Sequence, residues 1–429
     1  MTLSTLKVEI DFASGPSFSY PLILDSFAYG ILDENTLGDV PADIVDISDM
    51  VLRCSTRRGR NRILANFEAG TATVTLNDPN SDFNPFNVNS PYFTKLLPLR
   101  KIRIYAQTPL DGDIVEVTLF SGYITSYDTN FYKGTDATST VTLQCVDGFR
   151  LLYNVSTGVL PVPGCPAGQL SGARINALLD AAGWSGSMRA INTGDSTMQA
   201  DPGGNRSILQ AIQTIELSEF GAFFMARSGK ARFLGRDDIS LLADTTPRFY
   251  SDNNTAGSLP YTNLDLAYDD QLILNDVTVT RYDDGTGPAA VPQQVDDAFS
   301  ISTYFKKSGQ RTDILVETDQ EANDQARTLL AARKDANLRI DSMTVNINGD
   351  IDEDSVFINL TSDIYSLVYI IKSMAGGSTV ARELFIQGVQ HDITPNNWSI
   401  KLLTAEPIIQ AFILDSSSQG VLNINDLTY

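Results

Sequence analysis

Along the first third of the chain, apolar and polar side chains alternate with a period of two. Lys7–Phe12, Ala72–Leu76, Lys101–Tyr105, Val115–Phe120 and Thr140–Val146 read as strands on this pattern. Between the second and third, the Asn-, Asp- and Pro-rich stretch Asn77–Pro91 predicts a long irregular excursion. Three prolines and two glycines in LPVPGCPAGQ, 160–169, mark a linker, beyond which the period lengthens to about 3.6. Ser171 is placed to cap a helix carrying Ile175, Leu178, Leu179 and Ala182 and ended by Gly183. A second helix is expected over 206–219, stopped by Gly221 before a hairpin, AFFMARSGKARFL, that turns at Ser228 and Gly229. Strand patterning resumes with LILNDVTVTRY from Leu272. One helix then interrupts it, opened by a Thr318 and Glu321 capping box, before DSMTVNI, SLVYIIK, ELFIQGV and WSIKLL.

The two β-rich regions contain the same elements in the same order. TATVTL, 71–76, aligns with SMTVNI, 342–347; LRKIRIYA, 99–106, with the run ending in SLVYIIK; FSGYITSYD, 120–128, with IQGVQHDIT, 386–394; and VTLQCV, 141–146, with SIKLLT, 399–404. Gly122 and Gly388 fall at equivalent points, where each permits a bulge or a close backbone approach. The expected fold is therefore mainly β with an α+β insertion: two similar small β-barrel domains, 1–158 and 246–407, flank a helix-containing module at 170–245. An apolar C-terminal tail follows at 408–429.

With 31 basic and 52 acidic side chains the net charge is -21, which repels phosphates and excludes a general nucleic-acid binder. Cys54, Cys145 and Cys165 are odd in number and lack CxxC spacing, so neither a disulfide framework nor a zinc site is expected, and the compartment reads as reducing. The start of the chain lacks signal-peptide character and no apolar run reaches the roughly 20 residues of a membrane span, so a soluble protein is expected.

Candidate chemistry is sparse. His391, the one histidine, reads as a polar strand-end residue beside Asp392. Calcium-loop spacing fails from Asp78, which has Phe83 at position 6 and Asn89 at position 12. It fails again from Asp350, where Ser355 and Thr361 stand, and both strings read as solvated turns. Ser228–Lys230 lacks a phosphate loop's upstream glycine. The basic string Arg53–Arg62 is the strongest local charge feature, suited to an acidic neighbour, to a tape-like protein in a channel, or to an exposed loop or strand end with solvated arginines. No residue is nominated as catalytic, cofactor-binding or metal-ligating, no cofactor is called, and the chain is not read as an enzyme.

The string RRGRNRILANFEAGTATVTLNDPNSDFNPFNVNSPYF, 57–93, followed by LPLRKIRIYA, G-Y-I at 122–124 and V-D-G-F at 146–149, resembles phage minor tail proteins. The middle module is similar to the insertion domain of phage tail hub proteins and of the related type VI secretion spike base. The segments DQEANDQARTLLAARKDANLRIDSMTVN and GVQHDITPNNWSIKLLTAEP resemble the second barrel of such hubs. The resemblance implies a structural tail-tip, or baseplate, hub: a homotrimer whose six barrels form a ring that joins the hexameric tail tube to a threefold tip. The expected partners are a distal tail or tail tube protein, a tape-measure protein and a central fibre or spike protein. Neither specific nucleic-acid binding nor a membrane segment is expected, and the expected location is the virion tail tip after assembly in the host cytoplasm. Unlike larger hubs, the sequence carries no lysozyme-like, peptidase or receptor-binding extension, so those tasks are expected of partners. The alternatives are a hexameric distal tail protein and a carbohydrate-active tail-tip enzyme.

Overall fold

The computed structural model describes residues 4–12, 43–61, 66–131, 139–243, 245–253, 255–285, 287–348 and 351–406, with Leu22 and Leu24. The first β-region supplies β1 (Thr5–Asp11), β2 (Ile44–Asp46), β3 (Val51–Gly59), β4 (Glu68–Asn77), β5 (Arg100–Leu110), β6 (Asp113–Phe131) and β7 (Ser139–Val146). They pair in the order β3-β4-β7-β6-β5-β1-β2. All five strands read from alternation are present; β3, which contains most of the basic string, has no apolar alternation to announce it. Its inward positions are Cys54, Thr56 and Arg58. The Asn77–Pro91 excursion is a run of tight turns, pinned where the Asp78 carboxylate accepts the Asp82 and Phe83 N–H groups at 2.7 and 3.0 Å.

After α1 (Phe149–Asn154) and the short β8 (Gln169–Leu170), the middle module comprises α2 (Ser171–Ala181), β9 (Arg189–Ile191), β10 (Thr197–Met198), α3 (Ile208–Glu219), β11 (Ala222–Met225), β12 (Ala231–Leu234) and α4 (Arg236–Leu242). Ile175, Leu178 and Leu179 of α2 and Ile208, Ile212 and Ile215 of α3 bury their stripes against Phe223 and Phe233 of the hairpin. Two helix ends differ from the sequence reading. Leu170, not Ser171, precedes the first turn of α2, and no side chain caps it. Phe220, not Gly221, takes the left-handed position that closes α3, at φ 57°. The hairpin turn at Gly229, φ +86°, stands where expected.

The second β-region contains β13 (Arg248–Ser251), β14 (Asn263–Ala267), β15 (Asp276–Arg281), β16 (Gln293–Asp296), α5 (Ala298–Tyr304), β17 (Ser308–Ile314), α6 (Asp319–Arg333), β18 (Arg339–Asn346), α7 (Glu353–Thr361), β19 (Leu367–Ser373), β20 (Thr379–Thr394) and β21 (Asn397–Ala405). The Thr318 and Glu321 capping box opens α6, the one helix expected in this region; α5 and α7 are two more. Strand β15, read from LILNDVTVTRY, forms a separate sheet in the order β16-β15-β17, on which α6 packs Ala322, Ala326 and Leu329. Of the acidic string read as a solvated turn, Asp350 lies outside the described residues and the part from Asp352 on opens a helix: Asp352 caps α7 by accepting the Ser355 N–H at 2.8 Å.

Set side by side, the two halves have one topology. Taken in chain order, β1, β3, β4, β5, β6 and β7 correspond to β13, β14, β18, β19, β20 and β21. The sheet order β3-β4-β7-β6-β5-β1 is matched strand for strand by β14-β18-β21-β20-β19-β13. The outermost pair differs, antiparallel for β1 with β5 and parallel for β13 with β19. The ladders also correct the sequence alignment by one residue. Thr71 faces Val146 where Ser342 faces Leu403, so 141–146 correspond to 398–403, which keeps inward Val141 with inward Trp398. Likewise Gly388, opposite Leu403, corresponds to Tyr123, opposite Val146, so Gly122 lies one position earlier.

The halves are joined edge to edge. Strand β20 pairs antiparallel with β3 from Gly388 opposite Gly59 to Ile393 opposite Cys54, producing one thirteen-stranded sheet. Its core runs without a break across the seam, from Val74, Ile104 and Leu143 to Val345, Ile370 and Ile400. The segment 408–429 lies outside the described residues.

Candidate functional site

Around the seam, one face of the continuous sheet is polar across five strands. Pleating turns Thr71 and Thr73 of β4, Arg53, Ser55 and Arg57 of β3, Gln390 and Asp392 of β20, Ser399 and Lys401 of β21 and Thr344 of β18 to the same side, around a shallow depression of about 360 Å³ over the seam. Its charges are matched locally. Arg53 grips Asp392 through two nitrogens at 3.1 and 2.9 Å, Arg57 meets Glu68 at 2.8 Å, and Lys401 meets Asp265 at 3.2 Å. Such exposed pairs add at most about 1 kcal/mol each to stability. Their consequence lies elsewhere: over the seam the face presents hydroxyls, amides and ion pairs whose charges offset one another.

The other arginines of β3 point inward. Arg58 donates to the Leu119 carbonyl at 2.9 Å and to Asp363 at 2.7 Å, tying β3 to β6 and to the turn before β19. Arg60, just past β3, donates to Gln387 at 2.8 Å and to the Tyr365 hydroxyl at 2.9 Å, and its guanidinium stacks over Phe67 at 4.4 Å. Burial alone would raise the Asp363 pKa, but Arg58 and Arg227 outweigh it and hold the carboxyl below its ordinary value. The basic string is thus divided. Arg53 and Arg57 face the polar surface, Arg58 and Arg60 hold the halves together, and Arg62 lies outside the described residues.

The F-E-A-G-T and V-D-G-F motifs interlock. Asp147 accepts from the Gly70 N–H at 2.6 Å and from the Phe149 N–H at 3.0 Å, so it fixes the start of β4 and the first turn of α1 together. A Cβ on Gly70 would stand 2.6 Å from that carboxylate, and one on Gly148 would meet the Trp184 ring at 2.4 Å, which is why both positions are glycine. Burial pushes the Asp147 carboxyl up to about 7. Burial likewise raises Glu216 of α3 to about 7, against the pull of Arg60 and Arg311. Because the folded Glu216 pKa exceeds the unfolded value near 4.5, the folded state binds the extra proton between these values and is favoured as pH falls. A Glu216→Gln variant removes this slope. Relative to it, the native chain should gain on the order of 3 kcal/mol between pH 7.5 and 4.5 in paired denaturant titrations; parallel curves would contradict the assignment.

His391 is not a strand-end residue. It sits inside β20, 4% exposed, and accepts from the Trp398 indole N–H at its Nδ1, 3.3 Å away. Burial, with Arg58 adding to it, depresses its pKa to about 3. As the chain contains a single histidine, its imidazole signals are unambiguous, and they should keep their neutral-form shifts down to pH 4; a midpoint near 6.5 would contradict this burial. The three cysteines are buried and free. No group of three His, Cys, Asp or Glu side chains suited to a metal occurs among the described residues, and no described helix is long and apolar enough to cross a membrane. Sequence reasoning missed the polar face because it is assembled from strands hundreds of residues apart.

No protein-family model matches the sequence, and no curated relative matches it. Solved structures do. The tail protein from Neisseria meningitidis MC58 superposes with a TM-score of 0.57 at 13% identity, over 95% of this chain and 98% of that one. The 43 kDa tail protein of prophage MuSo2 from Shewanella oneidensis gives 0.53 at 11% identity, over 85% of this chain and 96% of its own. The chain therefore shares the fold of these two tail proteins, mainly β with an α+β insertion.

Proposed function

We propose that the chain is a structural tail-tip hub of a bacteriophage, resident in the virion, in which three copies close a ring of six β-repeats. The observation that carries this reading is the duplicated six-strand topology joined edge to edge by β3 and β20: a unit that adds its own image along a sheet edge is built to continue the series. A fold shared with a tail protein from Neisseria meningitidis and a prophage tail protein supports the same assignment. Six similar repeats from three chains fit a hexameric distal tail or tail tube protein on one side and a threefold central fibre or spike on the other. The neutralised polar face lines the channel for tape-measure protein and DNA, and a net charge of -21 discourages DNA from adhering. No step of this role requires catalysis. We divide the chain accordingly into β-domains 1–158 and 246–407, the module 170–245 and the segment 408–429. The unit of β15 to β17 with α6 is then an insertion in the second β-domain.

The test is cross-linking mass spectrometry on intact tails. Links from this chain to the tube-side protein and to the tip protein, in particles whose tips vanish when the chain is omitted, are the expected result. Recovery only as a free protein outside the particle would refute the assignment.

A further inference from the structure

The seam inside the chain also specifies the seam between chains. Strand β3 of the first repeat pairs with the second half of β20 in the second repeat. Each of these strands has a counterpart that lacks that partner: β14 corresponds to β3, and the end of β6 corresponds to the end of β20. β14 pairs only with β18, and β6 beyond Ile124 pairs only with β7, so both leave one edge of backbone donors and acceptors without a partner among the described residues. Unpaired edges of this kind are templates for strand addition.

We propose that β14 of one copy pairs antiparallel with the end of β6 of a second copy, in the register by which β3 pairs with β20. The inference rests on the ring reading above and gives that ring its joint. The register follows from the ladders. Ser55, opposite Thr73, corresponds to Asn263, opposite Thr344; Asp392, opposite Ser399, corresponds to Asp128, opposite Thr142. As Ser55 faces Asp392 within the chain, Asn263 faces Asp128 of the next copy, Leu264 faces Tyr127 and Asp265 faces Ser126. The polarity matches. Asn263, Asp265 and Asp128 are exposed, whereas Leu264 and Tyr127 are half-buried and pack against the core, so the pairing keeps the polar face polar and the core side apolar.

A second contact follows from the same correspondence. Within the chain, α7, the connection between the third and fourth strands of the second repeat, lies against β5 and β6 of the first. In the first repeat that connection is the turn-rich loop 78–99. It is anchored inward by Phe83 and by Tyr92 stacked on Phe12 at 5.1 Å, but it presents Phe86 and Val88 outward, 89% and 69% exposed. The joint carries these two side chains onto β19 and β20 of the neighbouring copy, in the place that α7 takes within the chain.

The test is a full-length double variant, Asn263→Cys with Asp128→Cys, oxidised at a concentration where native mass spectrometry reports the assembly. The native cysteines are buried and do not compete. Each chain then contributes one thiol to each joint, so a covalent trimer should dominate on a non-reducing gel. Moving the second cysteine two residues on, to Asn130→Cys, should lower its yield at least fivefold. Phe86→Asp with Val88→Asp should raise the concentration for half-assembly at least tenfold without changing the melting temperature of the separated monomer. A trimeric mass without the Asn263–Asp128 link overturns the joint and leaves the ring reading standing. A covalent product that stops at two chains overturns it in favour of reciprocal pairing. A monomer at every concentration sinks the ring reading and the joint together.

Discussion

An Arg58→Met variant should lose roughly 3 kcal/mol of stability, read as a lower denaturation midpoint at unchanged slope. The guanidinium is 5% exposed and makes two connections, to the Leu119 carbonyl and to Asp363. Removing it strands a partly buried carboxylate whose remaining cation, Arg227, stands 3.8 Å away, too far for a hydrogen bond. Methionine retains most of the apolar stem, so the loss reports the charged head and not a cavity. Adding Asp363→Asn tests the cause. With the stranded charge gone, the double variant should recover at least about 1 kcal/mol relative to the sum of the single ones. Strict additivity would mean that Arg58 acts through its bond to the Leu119 carbonyl and not through Asp363.

The seam makes a second position equally sensitive. Gly59→Ala should cost about 3 kcal/mol, because it combines two penalties. The residue has φ +100°, and a Cβ would stand 2.3 Å from the Gln387 carbonyl oxygen and 2.5 Å from the Gly388 Cα, so the strands would have to part where the halves meet. Gly112→Ala supplies the control. It too has positive φ, +90°, but an added Cβ there meets nothing within 4 Å, so it incurs the backbone strain of roughly 1–2 kcal/mol and no clash. Equal losses in the two variants, by thermal or chemical denaturation, would show that the halves are not held as closely as the Gly59 and Gly388 pairing requires.

How much of this was legible beforehand depends on where each structural cause lies in the chain. Strands β4, β7, β18 and β21 declare themselves by alternation, since their core-facing positions are mostly Val, Ile, Leu and the like. The repeat was visible for the same reason: matching faces demand matching periods. Strand β3 escaped because its inward side is Cys54, Thr56 and Arg58; a buried arginine looks like a solvated one until Asp363, 305 residues away, is seen beside it. Helix α7 was hidden under acids that read as a turn, although Asp352 caps it by an ordinary rule. The alignment of β7 with β21 slipped by one residue because short strands resemble one another at neighbouring registers. Only pairing with β4 and β18 distinguishes inward Trp398 from outward Ser399. Of the polar face, the components were readable as strand positions, but their union was not, since it requires β3 to meet β20.

The β3 and β20 junction leads to the expectation of a two-repeat chain that closes a ring of six repeats from three copies. The mass of the assembled protein by native mass spectrometry, with the rotational symmetry of isolated tail tips by electron microscopy, is the decisive test. Three copies, with an inner sheet layer of apparent sixfold symmetry, are the predicted result. Six copies would assign the chain to a distal tail ring, and a persistent monomer absent from the tip would rule out the ring.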